Sequence, residues 1–191
     1  MPPMVSTDPM PETRMIYSSQ GPGAGNRKAS GIHRRNNPFS LSLVNNSMEV
    51  FNMLKTRLIT DYINSLIGQE FVQGENDCNI IACKIIDILA GTDLYNSLYK
   101  KYSTKEEGLK ICKELSGYTN ILQPIKKHFK LVTDDLQDGD LLVTAHKLGN
   151  RKYYSVVPHY SGYGLVEEDG IWMTIPVSDI DYEQVYRFGG E

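Results

Sequence analysis

The sequence predicts an α+β domain, with helices first and an antiparallel sheet last. Apolar residues at helical spacing, bracketed by capping residues, fill most of 47–117, and after Lys130 the period changes to short β-branched and aromatic segments separated by Gly, Asn and Asp. Segregation of the two patterns, rather than alternation, marks an α+β domain. A chain of 191 residues suits one domain with an extension and can bury a core without staples.

The first helix is expected from Ser47, as N-cap, to about Ile67, with Val50, Phe51, Leu54, Leu58, Tyr62 and Leu66 on its apolar face and Gly68 at its stop. The second opens in "GENDCNIIACKIID", where Asn76 or Asp77 can cap and Cys78, Ile81, Ala82, Ile85, Ile86 and Leu89 share one face that ends at Gly91. Thr104 followed by Glu107 reads as a capping box for a third helix closed by Gly117, and "TNILQPIKKHF" suggests a short fourth. The strands are expected in "GDLLVTAHK", "YYSVVPHYSG", "GYGLVEED", "GIWMTIPV" and "YEQVYRF".

Residues 1–45 read differently. Rich in Pro, Gly, Ser and Asn and without a period, they are expected to be an extended or disordered N-terminal arm ahead of a domain at 46–191. Such an arm can gain order on a neighbouring protein, with Met15, Ile16, Tyr17, Ile32 and Phe39 as anchors. Its first 40 residues hold five basic side chains against two acidic ones, a net of +3, which leaves −6 on the rest. Arg27, Lys28, Arg34 and Arg35 without an aromatic repeat make nucleic acid an unfavoured partner. The net charge of −3 supplies no whole-chain basic field, and no run reaches the roughly 20 apolar residues of a membrane span. Three cysteines, 78, 83 and 112, fit a protein made in a reducing cytoplasm and have no zinc-site spacing, so no metal is expected.

A thiol reacts as thiolate, and a helix N-terminus lowers its pKa through the dipole and the free amides. Cys78 is placed for that effect, but a nucleophile also needs an imidazole within hydrogen-bond reach. A cysteine at a helix start is otherwise a small buried residue.

The ordered set "FVQGENDCNIIACKIIDILAGTDLYNSLYKKYSTKEEGLKI", "DDLQDGDLLV", "GYGLVEEDGIWMTIPVSDI" and "QVYRF" resembles the NlpC/P60-like, papain-like domains of tailed bacteriophages over roughly residues 50–190. The resemblance implies a Cys-bearing helix packed on an antiparallel sheet, no cofactor, and residence in the tail of the virion after synthesis in the host cytoplasm. Cys78 corresponds to the nucleophile and Asp77 to a cap or local electrostatic partner, with helix-start amides as oxyanion donors. Active members cleave peptides of bacterial peptidoglycan. The family base is a His near the start of the strand after the "GD" strand, and here that place holds Tyr154 or Ser155, neither a base near neutral pH.

His159 is the first candidate to replace it. It shares strand parity with Tyr153, Ser155 and Val157, so a bulge at Pro158 would turn it toward Cys78. His146 reads as a solvated residue at a strand end, and His128 and His33 are weaker candidates. Glu167, Glu168, Asp169 and Asp179 offer no clear orienting group. With the family His missing and a long arm present, the leading expectation is a structural virion protein whose arm binds neighbouring tail subunits. The alternative is an active cysteine peptidase or amidase acting on peptidoglycan during DNA entry, with Cys78 as nucleophile and His159 as base.

Overall fold

The computed structural model of the chain describes residues 38–189, and the side chains of 50–150 and 152–189 among them. Within this compact unit five helices precede or flank a six-stranded sheet, and every strand pairing is antiparallel. The helices are α1 (Pro38–Leu66), α2 (Cys78–Ala90), α3 (Leu94–Leu98), α4 (Lys105–Ser116) and α5 (Leu122–His128). The strands are β1 (Phe129–Val132), β2 (Leu141–Leu148), β3 (Arg151–Tyr160), β4 (Tyr163–Glu168), β5 (Ile171–Pro176) and β6 (Gln184–Phe188), in the order β1-β6-β2-β3-β4-β5. The α+β class expected from the period change is the class observed. Residues 1–37 of the expected arm lie outside the described residues.

The first helix departs most from expectation. It begins at Pro38, a residue suited to a helix's first turn because its missing N–H is not needed there, so residues 38–45 belong to α1 and Ser47 lies within it. At 29 residues it is about 43 Å long by helical rise, against about 20 Å for α2. A helix that outruns its neighbour buries only part of its stripe: Ile59, Ile63 and Leu66 enter the core, whereas Val50, Phe51, Leu54 and Leu58 are more than half exposed.

α2 is the centre of the core. Ile80, Ile81, Ala82, Cys83, Ile85 and Ile86 are all buried, and the helix packs against α1, α3, α5 and β3. Its ends follow the local chemistry, since Asp77 caps the start and Gly91, at φ 68°, closes the end. α4 is capped by Thr104, whose hydroxyl accepts from the Glu107 amide at 3.2 Å, while the Glu107 carboxylate accepts from the amide of Ser103.

The sheet splits beside α2. β3 pairs with β2 without interruption from Leu141↔Pro158 to Leu148↔Arg151, yet with β4 only at His159↔Gly164 and Tyr160↔Tyr163. His159 donates its N–H to the Asp140 carbonyl at 2.9 Å and accepts from the Gly139 amide at 3.0 Å, so its main chain faces the β2 side. By alternation, Pro158, Val156 and Tyr154 turn their main-chain groups toward β4. Pro158 has no N–H for the next rung, which ends the ladder. Gly164 lets β3 and β4 meet at the closed end, for a Cβ there would lie 2.7 Å from Val157 Cγ1 and would also strike Ile180 Cδ1.

One buried ion pair ties the last strand to the loop before β2. Asp140, with no exposed surface, accepts from Arg187 Nε at 2.8 Å and Nη2 at 2.9 Å, and Arg187 also bonds Asp134 Oδ2 and the Asp135 carbonyl. The "GD" and "RF" pieces of the sequence are therefore joined as structure.

Candidate functional site

The start of α2 and the opening between β3 and β4 border a cavity of about 370 Å³. Cys78 lines it, with Val156 from β3, Leu165 from β4 and Trp172 from β5. Helices α3, α4 and α5 close the remainder through residues such as Leu98, Leu109 and Pro124. A volume of this size is in the range of small-molecule sites.

Asp77 organises the helix start. Only 2% exposed, it accepts five hydrogen bonds: from Gln73 Nε2 at 2.6 Å, Gly74 N at 2.7 Å, Asn79 N at 3.0 Å, Ile80 N at 3.1 Å and the Tyr102 hydroxyl at 2.8 Å. Gly74, at φ 81°, is required where the chain passes Tyr102, because a Cβ would run into the Tyr102 carbonyl. Of the expected roles for Asp77, its hydrogen bonds display the cap, and its charge also acts on Cys78. The carboxylate accepts from the Asn79 and Ile80 amides, and the Cys78 amide is not among its donors.

The Cys78 thiol is pushed up to about 11, chiefly by burial and then by the negative charge of Asp77. The amides of Val156 and Asn79 and the Lys105 ammonium pull the other way without prevailing. At pH 7 such a thiol is ionised to about one part in ten thousand. The helix start by itself does not make Cys78 a thiolate, because burial and the Asp77 charge outweigh the amides and the Lys105 ammonium. Cys83 and Cys112, which line the same cavity, are likewise raised by burial.

The bulge expected at Pro158 is absent, as the unbroken β2–β3 register shows. His159 accordingly stays in strand parity, buried, with Nδ1 bonded to the Gln137 carbonyl at 2.9 Å, and it is not among the residues lining the Cys78 cavity. The structure does not bring this expected base to the cysteine. His146, expected to be solvated, does line the cavity: it is half-buried, its Nε2 lies 2.8 Å from Ser155 Oγ and its ring stacks on Tyr153 at 4.9 Å. Register explains the change, because His146 pairs with Tyr153 and is thereby carried to the open part of β3.

Three polar atoms on cavity-lining residues are buried without a hydrogen-bond partner: Asn79 Oδ1, Asn120 Oδ1 and Trp172 Nε1. Sequence reasoning placed Trp172 on the sheet and did not single out Asn79 or Asn120. Nothing in their local pattern reports an unpaired interior atom. Among the described residues no group of three His, Cys, Asp or Glu side chains is placed to hold a metal ion, and no helix there is long and apolar enough to cross a membrane.

Fold and site together define an α+β domain with a helix-start cysteine in a cavity beside a split sheet. By family, the chain belongs to the domain of unknown function DUF6950, whose model matches residues 52–187. No curated protein matches the chain, and no solved structure does.

Proposed function

We propose that the chain is a tail-associated structural protein of a bacteriophage virion, built on an NlpC/P60-like domain whose cysteine site binds rather than cleaves. The observation that carries the binding half is the lining of the Cys78 cavity, which leaves out His159 and includes His146 with its Nε2 already bonded to Ser155 Oγ. The virion half rests on the ordered sequence motifs, including the "DC" pair and the "GD" strand. Residues 1–45 supply the contact with neighbouring tail subunits in this reading.

The test is incorporation. Purified particles should contain the full-length chain in the tail fraction, and a deletion of residues 1–37, which leaves α1 whole, should lose it. Particles without the chain, or incorporation indifferent to the deletion, would count against the reading.

A second reading is favoured by one observation, the presence of His146 in the same cavity as Cys78. In that reading the chain is a cysteine peptidase or amidase of peptidoglycan, and His146, in place of His159, takes the thiol proton as sulfur attacks the carbonyl carbon and returns it to the amine that departs as the C–N bond breaks, after which water releases the acyl group from sulfur.

A further inference from the structure

We infer that α1 is a dimerisation helix: the apolar stripe it leaves in water pairs with the same stripe of a second copy of the chain, the two helices running antiparallel. The inference goes beyond the virion reading above and does not depend on it. α1 carries apolar residues on two faces. Ile59, Ile63 and Leu66 enter the core, whereas Val50, Phe51, Leu54 and Leu58, each more than half exposed, lie about a third of a turn away around the helix. The core accounts for the first face and leaves the second in water.

The spacing of the stripe selects a helix as its occupant. Leu43 and Val44 stand seven residues before Val50 and Phe51, Leu58 stands seven after Phe51, and Leu54 falls between. An apolar residue at one position of each seven, with a second between, is the seam of two paired helices. Among the described residues the next longest helix, α2, has 13 residues and is enclosed by α1, α3, α5 and β3. A second α1 carries the same repeat and can meet the seam along its whole length.

The charges beside the stripe admit a copy, and in one direction. Lys55 is turned toward its own domain, where its Nζ donates to the Leu89 carbonyl at 2.5 Å and lies 5.1 Å from the centre of the Phe188 ring. Arg57 and Asp61, both well exposed, form a pair of opposite charge at the margin, so a copy meets no net charge there. Asp61 holds the position of the repeat that Leu54 holds seven residues earlier. Parallel helices would set the two Asp61 carboxylates against each other, whereas antiparallel helices crossing near Leu54 keep them about 20 Å apart. From residue 43 to 58 the seam is about 24 Å long, and two helix flanks of that length bury on the order of 1,000 Å² in total, the lower limit for a specific interface. The dimer is accordingly a reversible one.

Sedimentation of the full-length protein across micromolar concentrations is the test. The expected mass is twice the 21.6 kDa of one chain at the upper end, falling toward one chain on dilution, with a Tm that rises with concentration. Leu54→Glu sets a carboxylate at the crossing and should be monomeric throughout, with an unchanged far-UV spectrum and a Tm independent of concentration, since Leu54 lies outside the buried core. Met53→Glu, exposed on the same helix but off the stripe, should dimerise as the wild type does. Asp61→Cys, mildly oxidised, should give no dimer linked through residue 61; such a link, found by peptide mass, would overturn the antiparallel direction. A wild type that is monomeric throughout would overturn the proposal: a lowered Tm in Leu54→Glu would then assign the stripe to residues 1–37, and an unchanged Tm to another protein. Dimerisation that survives Leu54→Glu, or that Met53→Glu abolishes equally, would overturn it as well. None of these outcomes bears on particle incorporation, so the two readings fail separately.

Discussion

Cys78 sits between opposing influences, and their ranking yields a measurable reactivity. Burial and the Asp77 charge outweigh the amides and Lys105, so the thiol titrates near 11 against an ordinary value of 9. Two pKa units correspond to about 100-fold less thiolate below pH 9, and alkylation follows thiolate. Iodoacetamide labelling of Cys78 at pH 7–8, read by mass spectrometry, should therefore be about 100-fold slower than that of a free cysteine and should rise about tenfold per pH unit. The linkage has a defined sign. Because the folded value is raised, the stabilising contribution is complete below pH 9 and is lost as pH rises from 9 to 11, so denaturation midpoints should fall across that window. Asp77 is the second residue to test. Asp77→Ala strands the Gly74 and Ile80 amides and the Tyr102 hydroxyl, a loss on the order of 3–5 kcal/mol in denaturant unfolding. At this scale the sequence was legible where the cause is local. "NDC" announces a cap one residue before the cysteine, but the five donors gathered on Asp77 come from as far as Tyr102, and that convergence has no local pattern.

Among the elements, the site depends on the early end of the β3–β4 ladder. Pro158 ends the pairing, and Gly164 permits the close approach that precedes the divergence. Gly164→Val should overpack the contact with Val157 and Ile180 and cost about 1–3 kcal/mol, checked by chemical denaturation. Helix ends were readable before the structure because Asp77, Gly91, Thr104 and Gly117 act on their own turns. The five later strands were readable by period and composition. What escaped were the five-residue α3 and the four-residue β1, too short for periodicity to register, and the beginning of α1. The exposed stripe of α1 looked like a core face because spacing specifies a stripe without saying how far along it the neighbouring elements reach. His159 was misplaced for a similar reason. Parity was read correctly, but whether Pro158 would bulge depends on β2, which holds its register through that point.

Across the whole molecule, the Asp140–Arg187 pair connects the end of the chain to the centre of the sheet. Arg187→Met leaves a fully buried carboxylate without its cation and should cost about 3–5 kcal/mol, whereas combining it with Asp140→Leu should recover most of that loss, as a double-mutant cycle would measure. The "GD" and "RF" pieces are thus explained by stability and need no catalytic role. The cysteine at a helix start is explained as well by a cavity that binds as by one that cleaves, and the reading proposed above is that it binds. The most direct measurement is peptide release from purified peptidoglycan by the wild-type chain and by Cys78→Ala, both confirmed folded. The binding account predicts no release by either protein above buffer; release by the wild type that Cys78→Ala abolishes would contradict it.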